Sequence, residues 1–224
     1  MRYLTLLTLG ALSFEAVAQE TIDIGSLKNT EIKVVQKMLY TKKGKAEYGG
    51  HLGIMPFDAY TLTPKVELTY GQHLSESLMW EGGLGLGYGL KNGTFRELEG
   101  PSYGITPDAY RYLSSIYAGV QYSPIYAKMS WDGTKVFHHD IYALGGATLA
   151  VEQAFMQDGS ISVAPGISIG AGARVFLPNG SAIRIQLRDD ILFQGRSKTA
   201  EVQGFYLKQN MSISVGYVFL KGRS

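Results

Sequence analysis

The chain has no cysteine, which removes a disulfide framework, a thiol nucleophile and thiolate-held metal from consideration. Charge is scarce: 18% of the 224 residues are Asp, Glu, Lys or Arg, and 21 basic against 19 acidic residues leave a formal charge of +2. A dedicated nucleic-acid binder needs a clustered basic surface, and this composition argues against one. Long apolar runs are missing as well. Past the N-terminus, no stretch approaching the roughly 20 residues of a spanning helix is free of charges or glycine runs. What is plentiful is glycine and tyrosine, 28 and 15 residues. Glycine stands well above the usual share of about 7%, and with regular turns the pair points to an all-β protein with a special surface.

The N-terminus reads as an address. Arg2 supplies a positive start, residues 4–12 a short apolar run, and Ala16-Val17-Ala18 the small residues that signal peptidase reads. Residues 1–18 are therefore expected to be a signal peptide. Residues 19–46 are expected to form a periplasmic N-terminal extension, 47–220 the main domain and 221–224 a short tail. Residues 32–40 fit either a periplasmic strand or an extra element of that domain. Lys42, Lys43 and Lys45 read as a solvated basic linker.

The main domain alternates apolar and polar residues with a period of two, the pattern of strands with one greasy and one wet face. Leu62, Pro64, Val66, Leu68 and Tyr70 oppose Thr63, Lys65, Glu67, Thr69 and Gly71. Leu78, Trp80, Leu84, Leu86, Tyr88 and Leu90 oppose Glu81 and the glycines at 83, 85, 87 and 89. Ser114, Ile116, Ala118, Val120 and Tyr122 lie opposite Ser115, Tyr117, Gly119 and Gln121. Ile183, Ile185 and Leu187 oppose Arg184, Gln186 and Arg188, and Met211, Ile213, Val215, Tyr217 and Phe219 oppose Ser212, Ser214, Gly216 and Val218. With less regular segments at 47–55, 136–151 and 161–177, the total is eight strands.

Alternation alone does not say which face is buried. Three features favour a small membrane barrel, apolar side outward, over a soluble sandwich. Connections at 72–77 and 178–181 are short while those at 91–112, 152–160 and 194–203 are longer, the asymmetry of membrane barrels. Two connections break the rule: 56–59 is short and 123–135 long. Aromatics sort to the strand ends: Tyr70, Trp80, Tyr122, Tyr217 and Phe219 at one rim, Tyr60, Tyr88, Tyr112 and Phe193 at the other, as in the two interfacial girdles of such barrels. Finally, the polar faces carry Lys65, Glu67, Glu81, Asp140, Arg174, Arg184, Arg188 and Asp190. An eight-stranded barrel has room inside for side chains but not for a wide pore, so these charges are expected to pair in the lumen, with the glycines at 83–89 making room beside Lys65 and Glu67. The expected fold is an eight-stranded antiparallel up-and-down transmembrane β-barrel.

Ser214, Gly216, Tyr217 and Phe219 resemble the C-terminal signal by which outer-membrane barrels are recognised for insertion, with five residues trailing behind the phenylalanine. Further landmarks are residues 34–40, Lys45-Ala46-Glu47-Tyr48, Leu52-Gly53, residues 70–78, residues 122–128 and His139-Asp140-Ile141-Tyr142. Through these the chain resembles an outer-membrane β-barrel family common in myxobacteria and related predatory bacteria. Gly71-Gln72 stand before His73 where that family's first turn motif is tighter. The resemblance implies a barrel in the envelope, and some similar barrels belong to envelope-spanning motility complexes. It supplies no reaction.

Catalytic constellations are weak. His73-Leu74-Ser75 has the His-x-Ser spacing of a lipid A deacylase but falls in a turn on the wrong side of the membrane for that substrate. His138-His139 and Asp189-Asp190 are adjacent in strands, so each pair points to opposite faces. Residues 82–89 are no phosphate loop. The expectation is a non-catalytic outer-membrane protein without cofactor or metal, periplasmic at its N-terminus. Its expected contacts are outer-membrane lipid, the barrel-assembly machinery during insertion and envelope-complex proteins met through the N-terminal periplasmic segment and the 91–112 loop, whose Phe95, Tyr103, Tyr110, Arg96 and Arg111 are residue types that interfaces favour, with no nucleic acid. The alternatives are a narrow pore for small solutes or ions and, more remotely, a lipid-modifying hydrolase.

Overall fold

The computed structural model describes residues 39–131, 135–156, 159–196 and 204–222. The signal-peptide expectation, the extension up to residue 38 and most of the ambiguous 32–40 segment lie outside them. In chain order the elements are β1 (Ala46–Met55), β2 (Thr61–His73), β3 (Leu78–Gly87), β4 (Leu90–Lys91), α1 (Gly93–Glu99), β5 (Tyr110–Trp131), β6 (Lys135–Ala154), β7 (Ile161–Phe176), β8 (Ser181–Gly195) and β9 (Phe205–Lys221). All but β4 and α1 pair with sequence neighbours in one antiparallel ring, and β1 also pairs with β9. The ring is closed, with eight strands and no free sheet edge around its circumference.

Following cross-strand partners from Tyr117 through Gly83, Thr69, Gly49, Val218, Ala182, Phe176 and His138 returns to β5 at Lys128. The strands are thus staggered and tilted, as closure of a barrel requires. One rim carries the start of β1 and the end of β9; the opposite rim carries the longer connections.

Alternation now has a direction. In β2 every odd residue from Thr61 to Glu67 is buried and every even one from Leu62 to Tyr70 exposed. The exposed set continues round the ring through Leu52, Leu84, Leu86, Ile116, Val120, Ile167, Ile169, Ile185, Leu187, Ile213 and Val215. Water would not tolerate so continuous an apolar wall; hydrocarbon does. The chain is a transmembrane β-barrel with its apolar face outward and its polar face inward.

The long 123–135 connection has a simple cause. Beyond Tyr122, β5 does not turn back but runs on to Trp131 paired with β6 down to Lys135. Residues 123–131 are therefore strand extension, continuing β5 past the rim that holds the chain ends, and residue 135 already belongs to β6. The break is absorbed where Ser123 and Pro124 together face one partner residue, Tyr142, a bulge that accommodates proline.

A second bulge corrects the girdle. An extra residue in β5 between Tyr112 and Ser114 reverses the alternation, so Tyr112 points inward and is buried instead of joining the outer aromatics. Its hydroxyl meets Ser115 Oγ at 2.7 Å, and its ring lies over Gly85 and Gly87, where a side chain would strike it. Those two glycines thus make room for Tyr112; Gly83 and Gly85 lie beside Glu67.

The 91–112 segment also differs from an open interaction loop. Lys91 pairs back onto Thr61 through β4. Asn92 caps α1 by accepting from Phe95 N at 3.0 Å and donates to Ala59 O at 2.8 Å, a standard use of Asn at a helix start. Phe95 is buried against Phe155 at 4.7 Å, Tyr110 is buried, and the Arg111 guanidinium donates to Gly89 O and stacks on the Tyr88 and Phe155 rings. Arg96, Tyr103 and Ile105 remain exposed. Packing over the rim takes up Phe95, Tyr110 and Arg111 of the loop expected to meet a partner.

Candidate functional site: the ion-paired lumen

The eight charged residues placed inward from the sequence, Lys65, Glu67, Glu81, Asp140, Arg174, Arg184, Arg188 and Asp190, are each at most 4% exposed. They sit in tiers along the barrel axis. Nearest the rim of the chain ends, Arg184 on β8 clamps Glu81 on β3 with two guanidinium nitrogens, Nη2 to Oε1 at 2.9 Å and Nη1 to Oε2 at a very short separation. These strands face each other across the ring, so the pair spans the lumen. Glu81 also accepts from Gln121 at 2.9 Å, and Arg184 Nε donates to the Tyr142 hydroxyl at 2.7 Å. Arg174 on β7 reaches Asp140 at 3.0 Å, Gln121 at 2.6 Å and Glu47 at 3.3 Å. The Arg174 and Arg184 guanidiniums both lie over the Tyr142 ring, 4.9 and 5.0 Å from its centroid.

The next tier is built on Arg188, whose two Nη atoms fork onto Glu67 at 2.7 and 2.9 Å. Lys65 bridges Glu67 at 2.8 Å, and Arg188 Nε lies 3.2 Å from Asp190, which accepts from Ser168. Such bidentate pairs are the strongest protein ion pairs. The outermost tier was not foreseen from the sequence. Lys208 donates to both oxygens of Glu152 at 2.9 Å, and Asn210 donates to the same carboxylate at 2.8 Å.

Several members were missed though the pattern held them. Tyr48, Leu52 and Ile54 facing outward put Glu47 and His51 inward by parity, and β2's alternation continues to His73. His73 is therefore not a turn residue: it lies inside and contacts Glu47 at 3.1 Å. Ser75 sits in the turn with Ser77, so the His-x-Ser pair does not converge. His51 fills the space beside Gly216, whose missing side chain leaves room for the ring, and bonds Thr69 at 3.1 Å. His138 points inward and contacts Tyr126 at 3.0 Å, while His139 is on the other face. Among the described residues no three His, Asp or Glu side chains gather as a metal site.

Lys42 overturns its reading as solvated linker. It is buried, its ammonium 2.5 Å from Asp140, while its backbone N and that of Lys43 donate to the Glu76 carboxylate at 2.7 and 3.2 Å. The approach to β1 is thus latched into the barrel mouth. Lys42→Met is expected to release this latch and speed tryptic cleavage after Lys43 and Lys45 of the folded protein by roughly tenfold or more, since cleavage follows the free energy of local opening. An unchanged rate would show that the latch holds nothing.

The outer aromatics Tyr70, Trp80, Tyr88, Tyr122, Tyr217 and Phe219 are all exposed. Tyr48, Tyr70 and Trp80 make a row with centroid spacings of 5.1 and 5.4 Å, and Tyr217 meets Phe219 at 4.8 Å. At the opposite rim Phe193 is exposed and Tyr60 half-buried. Ser214 and Gly216 face inward on the closing strand β9, and Tyr217 and Phe219 outward.

No protein-family model and no curated protein matches the chain. Solved structures do. Neisserial surface protein A is similar at 12% identity over 78% of this chain and 94% of its own, with a TM-score of 0.41. Ail, the attachment invasion locus protein of Yersinia pestis, is similar at 14% over 79% and 99%, with a TM-score of 0.38. De novo designed transmembrane β-barrels are similar at 15% over 81% and 99%, with a TM-score of 0.39. The fold assignment rests on the closed ring and its two faces rather than on these likenesses.

Proposed function

We propose that this chain is an integral outer-membrane β-barrel with a structural, anchoring or interaction role in the cell envelope, and that it is not a catalyst. The observation that carries this is the filled lumen. Arg184–Glu81 and Arg188–Glu67 cross the interior, Tyr142 packs against two guanidiniums, and Lys208–Glu152 closes the outer end. Charges held this way satisfy one another and plug the barrel; a buried ion without its partner would cost several kcal/mol. Membership of the myxobacterial barrels that the landmark residues resemble belongs to the same proposal. So does its topology: the rim with the chain ends faces the periplasm, and the longer connections with α1 face outward. Outer-membrane lipid meets the apolar wall, the assembly machinery reads Ser214, Gly216, Tyr217 and Phe219, and envelope proteins dock through the N-terminal periplasmic segment or beside Tyr103.

Gel mobility of the membrane fraction tests the barrel. The unboiled protein is expected to run apart from the boiled chain; a single unshifted band in the soluble fraction would overturn the assignment. Planar-bilayer recording tests the role. The plugged lumen predicts no steady conductance, whereas stable open channels that change when Arg184 or Arg188 is neutralised would establish the narrow pore instead.

A further inference from the structure

One cation is mounted on the aromatic girdle without an acid to meet it. Arg111 lies between Tyr110 and Tyr112, both buried inside, so it faces outward, beside its cross-strand partner Gln153. Its Nε donates to Gly89 O at 3.1 Å, and Nη1 donates to the Tyr88 hydroxyl. The guanidinium carbon lies 4.3 Å from the centre of the Tyr88 ring and 4.8 Å from that of Phe155, within the range at which a ring face attracts a cation. Gly89 admits the side chain: a Cβ there would come within 3.2 Å of Arg111 Cγ. The head of a long side chain is thus held in one place. Lys91, Arg196 and Lys208 at the same rim each meet a carboxylate, at 2.7, 3.3 and 2.9 Å. Among the described residues no carboxylate meets Arg111. Nη2 and the second proton of Nη1 are left without an acceptor.

We propose that Arg111 binds the phosphate of an anionic lipid headgroup in the leaflet that meets this rim. The inference rests on the transmembrane reading and goes beyond it. Depth identifies the occupant. Tyr88 is half exposed on the outer wall, next to Leu86 on the same face, and girdle rings sit where hydrocarbon tails give way to headgroups. A guanidinium spread over that ring therefore stands among headgroups, neither in the tails nor out where soluble partners pass. Chemistry identifies the group. The open edge of the guanidinium presents the fork of N–H donors that fits two oxygens of one phosphate. Lys91, 5.7 Å from the centre of the same Phe155 ring, is already spent on Glu99, so the anion answers to Arg111 first. A headgroup with net negative charge is preferred to phosphatidylcholine, whose choline offsets its phosphate.

The test uses the full chain folded in a neutral detergent and mixed with equal amounts of phosphatidic acid and phosphatidylcholine, the bound lipid being counted by native mass spectrometry. Phosphatidic acid is expected to be preferred, and Arg111→Gln to lower that preference about fivefold, the size of an interfacial basic side chain's attraction to anionic lipid. Arg196→Gln, which removes a cation already paired with Asp108, is expected to leave the preference intact. Excess inorganic phosphate is expected to leave the lipid bound, because the acyl chains contribute to holding it. Equal binding of the two lipids, a preference indifferent to Arg111→Gln, or an equal loss in Arg196→Gln would overturn the proposal. Displacement by inorganic phosphate would overturn it too, reassigning the site to a free anion. The boiled and unboiled mobilities of each variant report separately whether the barrel has formed, so loss of the lipid site is distinguished from loss of the fold.

Discussion

Arg184→Met is expected to lower the stability of the barrel by about 3–5 kcal/mol, the cost of leaving a buried charge without its partner. Methionine matches the reach of the side chain but offers no donors. It strands Glu81, which loses both guanidinium contacts and keeps Gln121 alone, and it removes the donor to Tyr142. The urea midpoint of the slow-to-fast gel transition in vesicles or detergent reads the loss. The double variant Arg184→Met/Glu81→Leu is expected to recover most of it, because replacing a buried pair with apolar side chains of similar volume is often neutral or stabilising. Glu47 stays compensated by Arg174 in both. A single variant within about 1 kcal/mol of the parent, the worth of an exposed pair, would mean that the lumen is wet and the clamp screened.

Val66→Arg is expected to cost about 2–4 kcal/mol in a bilayer, the penalty for a basic side chain on the lipid face near mid-depth. Val66 is half exposed in the middle of β2, with Leu52 and Leu86 as cross-strand neighbours, so its replacement enters hydrocarbon rather than water. The same exchange on a solvated sheet face would usually stay within about 0.5 kcal/mol. Folding free energy in vesicles separates these results. A near-neutral Val66→Arg would place that face against water and sink the membrane reading.

Period-two alternation with aromatics at the strand ends made the eight strands and their inward charges legible, because a strand exposes successive residues to opposite sides whatever surrounds it. The misreadings arose where that period was interrupted or where the partner was remote. Tyr112 was assigned outward because an extra residue at 113 reverses the parity, and a bulge carries no composition of its own. The 123–135 stretch resembled a loop because Ser123 and Pro124 break the pattern, although strand pairing resumes at Ile125 and runs to Trp131. Lys42 looked solvated because its partners, Glu76 and Asp140, are far away in sequence and become neighbours only when the ring closes. Phe95 looked available to a partner because nothing local shows that Phe155, remote in sequence, packs against it.

By itself the sequence determined the strands, the identity of each face and the stock of opposite charges on the inner one, since these follow from local backbone geometry and the solvent preference of each side chain. Which charge meets which, and therefore that the interior is plugged, only the tertiary structure decided. Pairing across the lumen depends on the stagger accumulated around the whole ring, a sum of registers and bulges that no single strand contains.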